Sequence, residues 1–434
     1  MFDSAAETMS ADERAGLQER RLQAMLDRLL AVPGVQADRL AAAGVSAGRD
    51  VALADLPRLP TTGKQDLWDG YPWGMLAVPR DQVVALHGSS GTGGRPTLVA
   101  YTRADLDLWA RMCARSLGCA GATAGSIVHN AYGYGLFTGG IGIHQGAIAL
   151  GATVVPASGG MTARQITLLR DLQADVLTCT PSYAIHLGEA MQAAGVGPAD
   201  LALRAGVLGA EPWTEALRTQ IESLLEIAAL DIYGLSEVIG PGVATECLEG
   251  RHGLHVNEDH FLVEVLEVET GQPVADGTVG ELTFTTPTKE ALPLLRYRTG
   301  DLAALERGPC RCGRTLVRMS KVLGRRDDML VIRGVNVFPS EVEAVLLADG
   351  RLAPHYLIVL DARRPTPRLV IACEPQAAGP EDPAQQLTDA LRERLGLTCD
   401  VRVVPAGTVP RTEVGKAVRV VRWTSGPAPV AGLD

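Results

Sequence analysis

The chain has 434 residues, too many for one simple core and suited to two unequal domains. Its 46% hydrophobic and 21% charged residues exclude a disordered chain, and its formal charge of -10 argues against a phosphate-backbone binder while leaving room for a local basic nucleotide site. Eight irregularly spaced cysteines exclude a disulfide framework and read as reduced thiols with room for one metal site.

The first residues carry acids early and contain no apolar core of a signal peptide, so a cytoplasmic protein is expected. Ser10 and Glu13 fit a capping box, and Leu22, Met25, Leu26, Leu29 and Leu30 share one helical face that ends at Pro33-Gly34. Short apolar runs then recur at Val83–Leu86, Ile127–Val128, Thr153–Pro156, Val176–Cys179, Val207–Gly209 and Leu230–Tyr233, with helices such as Thr162–Gln173 and Tyr183–Ala194 between them. Strands alternating with helices predict a large layered α/β domain with parallel sheets. Phe261–Val268 and Glu281–Thr286 alternate apolar with polar residues around a turn-rich Gly271–Gly277, which adds an antiparallel β section.

The character changes near Gly324–Asp328, and the domain boundary is set at Arg326/Asp327, giving domains 1–326 and 327–434. Beyond it the pattern predicts strand Met329–Arg333, a helix from Pro339, strands Tyr356–Leu360 and Arg368–Cys373, a helix, and a last strand Val401–Val404. This is a small α+β unit, and the Pro/Gly/Ala-rich final residues are expected to fray. From Ser116 to Ala163 there is no acidic or basic residue except histidine. Many glycines and the polar His129, Asn130, His144 and Gln145 interrupt that stretch, so it reads as a buried strand–loop–helix block and not as a membrane span of about 20 apolar residues.

Four segments carry chemistry. His87 to Thr97 is rich in glycine and hydroxyls, which let a backbone aim N–H and O–H donors at phosphate oxygens, yet it lacks the Gly-Lys-Ser/Thr of a P-loop. Asp231 to Glu237 ends a predicted strand with a tyrosine suited to a purine and a carboxylate suited to Mg²⁺. Arg296 to Asp301 puts an acid after a glycine turn, where it can meet two ribose hydroxyls, and Pro410 to Lys416 presents a lysine on a glycine-hinged loop.

These segments, in this order, resemble the acyl-adenylate-forming superfamily of acyl-CoA synthetases, luciferases and nonribosomal adenylation domains. Gly324–Asp328 followed by Arg333–Pro339 is similar to its hinge. Leu59–Leu67, Ala131–Gly140 and Gly209–Trp213 are similar to phenylacetate–CoA ligases, and the resemblance runs from about Leu56 to Val420. It implies an ATP-dependent aryl-acid ligase forming an acyl-adenylate and then a coenzyme A thioester, with a small domain that rotates between the two steps. Ser89, Ser90, Gly91, Thr92, Gly93 and Gly94 would cradle the ATP phosphates. Gly209, Ala210, Glu211 and Pro212, with Asp231, Ile232, Tyr233 and Gly234, would hold the adenine. Ser236 would touch phosphate, Glu237 Mg²⁺, and Asp301 and Arg325 the ribose. Asp327 would be the hinge, Lys416 would bridge carboxylate and α-phosphate, and Gly334 would line the pantetheine tunnel. Gly93-Gly94-Arg95 stands where the family usually has Thr-Gly-Lys, so one hydroxyl donor is absent and the cation is forked and bulkier.

Tyr132, Tyr134 and Phe137, with Gly209 and Ala210, suggest a flat slot for a small aromatic acid, and the uncharged stretch offers no cation for a second carboxylate. Cys310 and Cys312 form a tight Cys-x-Cys turn, and with Cys247 and His255 they make a donor set suited to structural Zn²⁺, with His252 and His260 as competing imidazoles. The rival readings are transfer of the adenylate to a carrier-protein thiol or another acceptor, or a nucleotide-binding homologue without catalysis. No nucleic acid or membrane partner is expected, and a homodimer is compatible with the reading.

Overall fold

A computed structural model describes residues 1–89, 96–326, 330–332, 335–363, 367–376, 383–412 and 416–433. The expected alternation of helix and strand is realised as α1 (Arg103–Cys119), β1 (Ile127–Asn130), α2 (Gly139–Leu150), β2 (Thr153–Val155), α3 (Thr162–Leu172), β3 (Val176–Cys179), α4 (Pro181–Ala193), β4 (Ala205–Gly209), α5 (Glu215–Leu225) and β5 (Ala228–Leu235). Local chemistry starts the helices: Thr102, Thr180 and Thr214 each accept from a backbone N–H of the first turn, and Pro181 occupies a first-turn position where its missing N–H costs nothing. β1 to β5 pair in parallel, and β6 (Gly240–Thr245) and β7 (Leu254–Val256) extend the same sheet antiparallel. The sheet runs Leu305–Glu306, Arg318–Met319, β7, β6, β5, β4, β3, β1, β2.

The uncharged stretch is buried only in part: Ile143 and Ala147 of α2 are interior, whereas Leu136, Phe137, Ile148 and Met161 are exposed. Gly142 and Gly146, one turn apart on α2, let that helix press against α1. A Cβ at Gly142 would lie 2.5 Å from the Trp109 ring, and one at Gly146 would collide with Cys113. α2 has 12 residues, and no helix among the described residues is long and apolar enough to cross a membrane.

A hairpin of Ala85–Ser89 and Thr97–Tyr101 brackets the glycine-rich loop, so the strand expected at Val83–Leu86 starts later, where its partner begins to pair. The antiparallel section is a four-stranded sheet of Leu262–Leu266, Gly280–Thr285, Tyr297–Ala303 and Gly324–Arg325. Next to it, His260 is buried and bonds Thr288 through Nδ1 at 2.9 Å. Desolvation, reinforced by Arg21, Arg115 and Arg111 against the pull of Asp259, holds its imidazole down to about 3. The unfolded chain, with an ordinary histidine near 6.5, therefore binds more protons in between, so this residue's contribution to stability is lost as pH falls from about 6.5 to about 3. Unfolding free energies measured against pH should fall less steeply through that window in a His260→Gln variant than in the parent.

After residue 330 the chain builds a smaller α+β unit. Leu330–Ile332 pairs with Val335–Val337, and helices Pro339–Ala348 and Ala384–Leu395 cover a four-stranded sheet ordered Asp400–Val403, Arg368–Pro375, Leu352–Asp361, Val420–Trp423. The expectation of frayed final residues is corrected here. Val420–Trp423 is a sheet strand, and Trp423, Val430 and Leu433 are buried against Leu357, Val359 and Val370, because the second face of this sheet needs apolar cover.

Candidate active site

β4 and β5 end side by side, with Gly209 opposite Ile232, so the segments 209–212 and 231–237 leave the sheet together at the carboxyl ends of parallel strands. Ligand sites in open α/β sheets form at such edges. A Cβ on Gly209 would strike the Ile232 carbonyl oxygen, and Ala210 turns the chain with φ +73°. Gly234 is likewise pressed against the Gly240 carbonyl, at the irregularity where β5 meets β6.

Ser89, at the edge of the glycine-rich loop, donates through Oγ to Glu237 Oε1 at 3.0 Å. Ser236 Oγ lies 3.1 Å from Thr138 Oγ1. The Glu237 turn is held from below by Lys289, which is fully buried, donates to the Glu237 carbonyl oxygen at 3.0 Å and sits over the Tyr101 ring. Burial brings Lys289 down to about 8 against the pull of Asp105 and Glu237. On the other side, Tyr233 stacks on Phe284 and donates its hydroxyl to Asp301 Oδ2 at 2.7 Å, while Arg325 Nη1 donates to Asp301 Oδ1 at 2.6 Å. Tyr233, Asp301 and Arg325 thus come together, as do Ser89 and Glu237.

Other expected residues face elsewhere. Ile232 points into the core. The Asp231 carboxyl is buried, desolvation with the neighbouring Glu246 raises it to about 6, and its backbone N–H and carbonyl oxygen are both taken by Glu246. Tyr132 is buried with its hydroxyl against the Gly209 backbone. Tyr134 bonds Asn130 at 2.8 Å and His144 at 3.1 Å, while Phe137 is 56% exposed and Pro212 is exposed. The expected slot therefore has one buried wall and one open rim. Ser90, Gly91, Thr92, Gly93, Gly94, Asp327 and Gly334 lie outside the described residues.

Lys416 is exposed, and the N–H of its neighbour Ala417 donates to Glu211 Oε2 at 2.8 Å. Ala417 and Val418, just after Lys416, line a cleft of roughly 450 Å³ between the larger and smaller units, with Glu211, Arg325, Glu343, Tyr356 and Arg419.

Away from this cleft, Cys247, His255, Cys310 and Cys312 bring one donor atom each to within 4.8 Å of all the others. Cys247 and Cys310 sulfurs are 3.6 Å apart, and Cys312 Sγ lies 3.4 Å from His255 Nε2. A tetrahedral zinc with arms of about 2.0–2.3 Å needs donor separations of about 3.4–3.8 Å, so these residues fit it. Desolvation, with Arg314 and Arg318, holds His255 down to about 4, keeping the ring neutral as a ligand must be. Against desolvation, the Arg314 N–H donors and the neighbouring thiols hold Cys312 below its usual range. His252 instead pairs with Glu306, and His260 with Asp259, which removes both from the competition.

The sequence reading missed Lys289, Tyr101, Asp105 and Thr138. Lys289 carried one usable signal, a lone lysine just before the apolar run Ala291–Leu295.

Residues 18–289 match the family model for AMP-binding enzymes, and residues 334–422 match that for the AMP-binding enzyme C-terminal domain. The sequence is 49% identical to a phenylacetate–coenzyme A ligase of Thermus thermophilus, covering 97% of this chain and 99% of that one. A phenylacetate–coenzyme A ligase of Escherichia coli is 48% identical, covering 95% and 96%. The fold overlays on 2-hydroxyisobutyryl-CoA ligase in its postadenylation state with a TM-score of 0.89, at 26% identity over 96% of this chain and 91% of that one. Against the same ligase in its thioesterification state the TM-score is 0.72, at 28% identity and the same coverage.

Proposed function

The chain belongs to the AMP-binding enzyme family and is an AMP-forming acid–CoA ligase that uses ATP and coenzyme A, and we propose that its acid is a small aryl acid of the phenylacetate type. The observation that carries this substrate reading is the end-to-end similarity to phenylacetate–coenzyme A ligases. The buried Tyr132 ring beside Gly209 supports it, as an apolar wall next to the nucleotide segments.

In this reading the acid carboxylate attacks the α-phosphorus of ATP, forming a C–O–P linkage as the bond to pyrophosphate breaks. The thiolate of coenzyme A then attacks the acyl carbon, and AMP leaves with the electron pair of the broken C–O bond. The first step gathers negative charge on phosphorus, so aimed donors and cations lower its barrier. Ser89 and the loop through Gly94 donate to phosphate, and Ser236 adds a hydroxyl. Glu237, an oxygen ligand next to that loop, suits Mg²⁺, which neutralises phosphate charge when bound. The 209–212 and 231–234 backbones flank adenine, and Asp301 with Arg325 receives the ribose. Tyr132, Tyr134, Phe137, Gly209 and Ala210 border the acid. Lys416 bridges carboxylate and α-phosphate, and Asp327, at the boundary between domains 1–326 and 327–434, is the pivot that exchanges Lys416 for the Gly334 tunnel. The four-residue thiol–imidazole cluster holds structural Zn²⁺ and takes no part in the chemistry. A cytoplasmic location follows from the substrates.

ATP–pyrophosphate exchange with phenylacetate, benzoate, anthranilate and hydroxylated anthranilates tests the proposal. Phenylacetate should give the fastest exchange, and adding coenzyme A should yield the thioester. Faster exchange with another acid would replace the substrate, and acylation of a carrier protein in preference to coenzyme A would replace the acceptor.

A further inference from the structure

Glu211 was expected to hold adenine, yet its carboxylate is engaged elsewhere. Oε1 accepts from the Ser182 N–H at 2.7 Å, in the first turn of α4, and Oε2 accepts from the Ala417 N–H at 2.8 Å. The first contact fixes the carboxylate to the larger unit, where a helix N-terminus favours an anion. The second reaches the smaller unit at the residue after Lys416. Two further carboxylates bridge the same divide: Glu343 Oε1 accepts from the Thr214 N–H at 3.1 Å, and Glu189 Oε1 is 2.7 Å from His355 Nε2. Glu343 is itself steadied by the Tyr356 hydroxyl at 2.6 Å. The whole arrangement is closer to the postadenylation structure of the related ligase than to its thioesterification structure.

We propose that Glu211 is a positioning residue for the adenylation half-reaction, its carboxylate tying the Lys416 loop to the first turn of α4 and so presenting Lys416 to the acid and α-phosphate. The inference rests on the reading of Lys416 given above. Glu211 suits the task because a carboxylate has two oxygens and can accept from two chain segments at once, whereas a glutamine offers one acceptor and turns an NH₂ toward the other N–H. Geometry matters at this scale, since a displacement of about 1 Å in a reacting group can cost about a hundredfold in rate. A smaller unit turned to its thioesterification orientation would carry Ala417 away from Glu211, so the tie belongs to one half of the cycle.

The test separates the half-reactions in Glu211→Gln, Glu211→Ala and Lys416→Ala. ATP–pyrophosphate exchange with the acid reports adenylation. Thioester formation from chemically synthesised acyl-adenylate and coenzyme A reports the second step and also shows that each variant is folded. Loss of one or two hydrogen bonds to a charged group predicts exchange slowed roughly ten- to a hundredfold in the Ala variant, and less in the Gln variant, with thioester formation unchanged within about twofold. Equal losses in both steps would mean that Glu211 serves the fold or the nucleotide, and an unchanged exchange rate would mean that the tie is idle; either result overturns the inference. Lys416→Ala keeps the two readings apart. If it leaves exchange intact, the role given to Lys416 fails; if it stops exchange while the Glu211 variants do not, only the inference about Glu211 fails.

Discussion

Replacing Lys416 with alanine is expected to slow ATP–pyrophosphate exchange by about 10²- to 10³-fold, the range seen when one preorganised donor to a developing anion is removed. The argument is electrostatic. As the carboxylate closes on the α-phosphorus, two anions share one centre, and a cation between them lowers the transition state more than the separated ground state. Binding of ATP should change little, because Ser89, Glu237, Asp301 and Arg325 all lie outside that loop. Thioester formation from supplied adenylate should persist, since no phosphate bond is then made. Stopped-flow or isotope-exchange rates for the two steps decide the matter, and comparable losses in both would remove the assigned role.

The second large effect concerns the thiol–imidazole cluster. Elemental analysis of the purified protein should return about one zinc per chain, and Cys310→Ser or Cys312→Ser should abolish it, lowering the melting temperature by about 5 °C or more. The cluster joins β7, through His255, to the turn before Arg318–Met319, the strand that pairs with β7. Arg314 binds Cys312 Sγ through its backbone N–H at 3.5 Å and Glu7 through Nε at 2.5 Å, so the N-terminal segment also leans on this turn. Losing the metal would leave three thiols and an imidazole crowded with no shared partner, which is why a loss of stability is expected. Metal-free protein with an unchanged melting temperature would remove the zinc reading.

How much could be read from residues alone follows from what each residue answers to. Ser89, Glu237, Asp301 and Lys416 could be picked out because the phosphate, Mg²⁺, ribose and developing anion proposed for them each ask for particular side chains in a particular order. That Ser89 would bond Glu237 across 148 positions was not legible, since the contact is created by the packing of a hairpin against the end of β5. Lys289 was missed for the same reason: its partner is a backbone carbonyl, which every residue has and no motif marks. Glu211 was picked out with its segment for adenine, but that its carboxylate turns to Ser182 and Ala417 could not be read, because both partners are backbone N–H groups brought near by packing. Val420–Trp423 was lost to composition. Proline and glycine around it suggested a loose tail, yet Trp423 answers to a sheet face that includes Leu357 and Val359, more than sixty positions earlier.

The glycines on α2 bear on how enzymes of this build could change their acid. Gly142 and Gly240 touch Trp109 from two directions, and a Cβ on either would lie within 2.5 and 2.6 Å of its ring. Trp109 therefore has no slack for a side chain at either glycine. Room for new side chains lies instead on the 133–137 loop, where a Cβ at Gly133 would meet nothing within 4 Å and Phe137 is exposed, whereas a substitution on the buried helix would unseat Trp109.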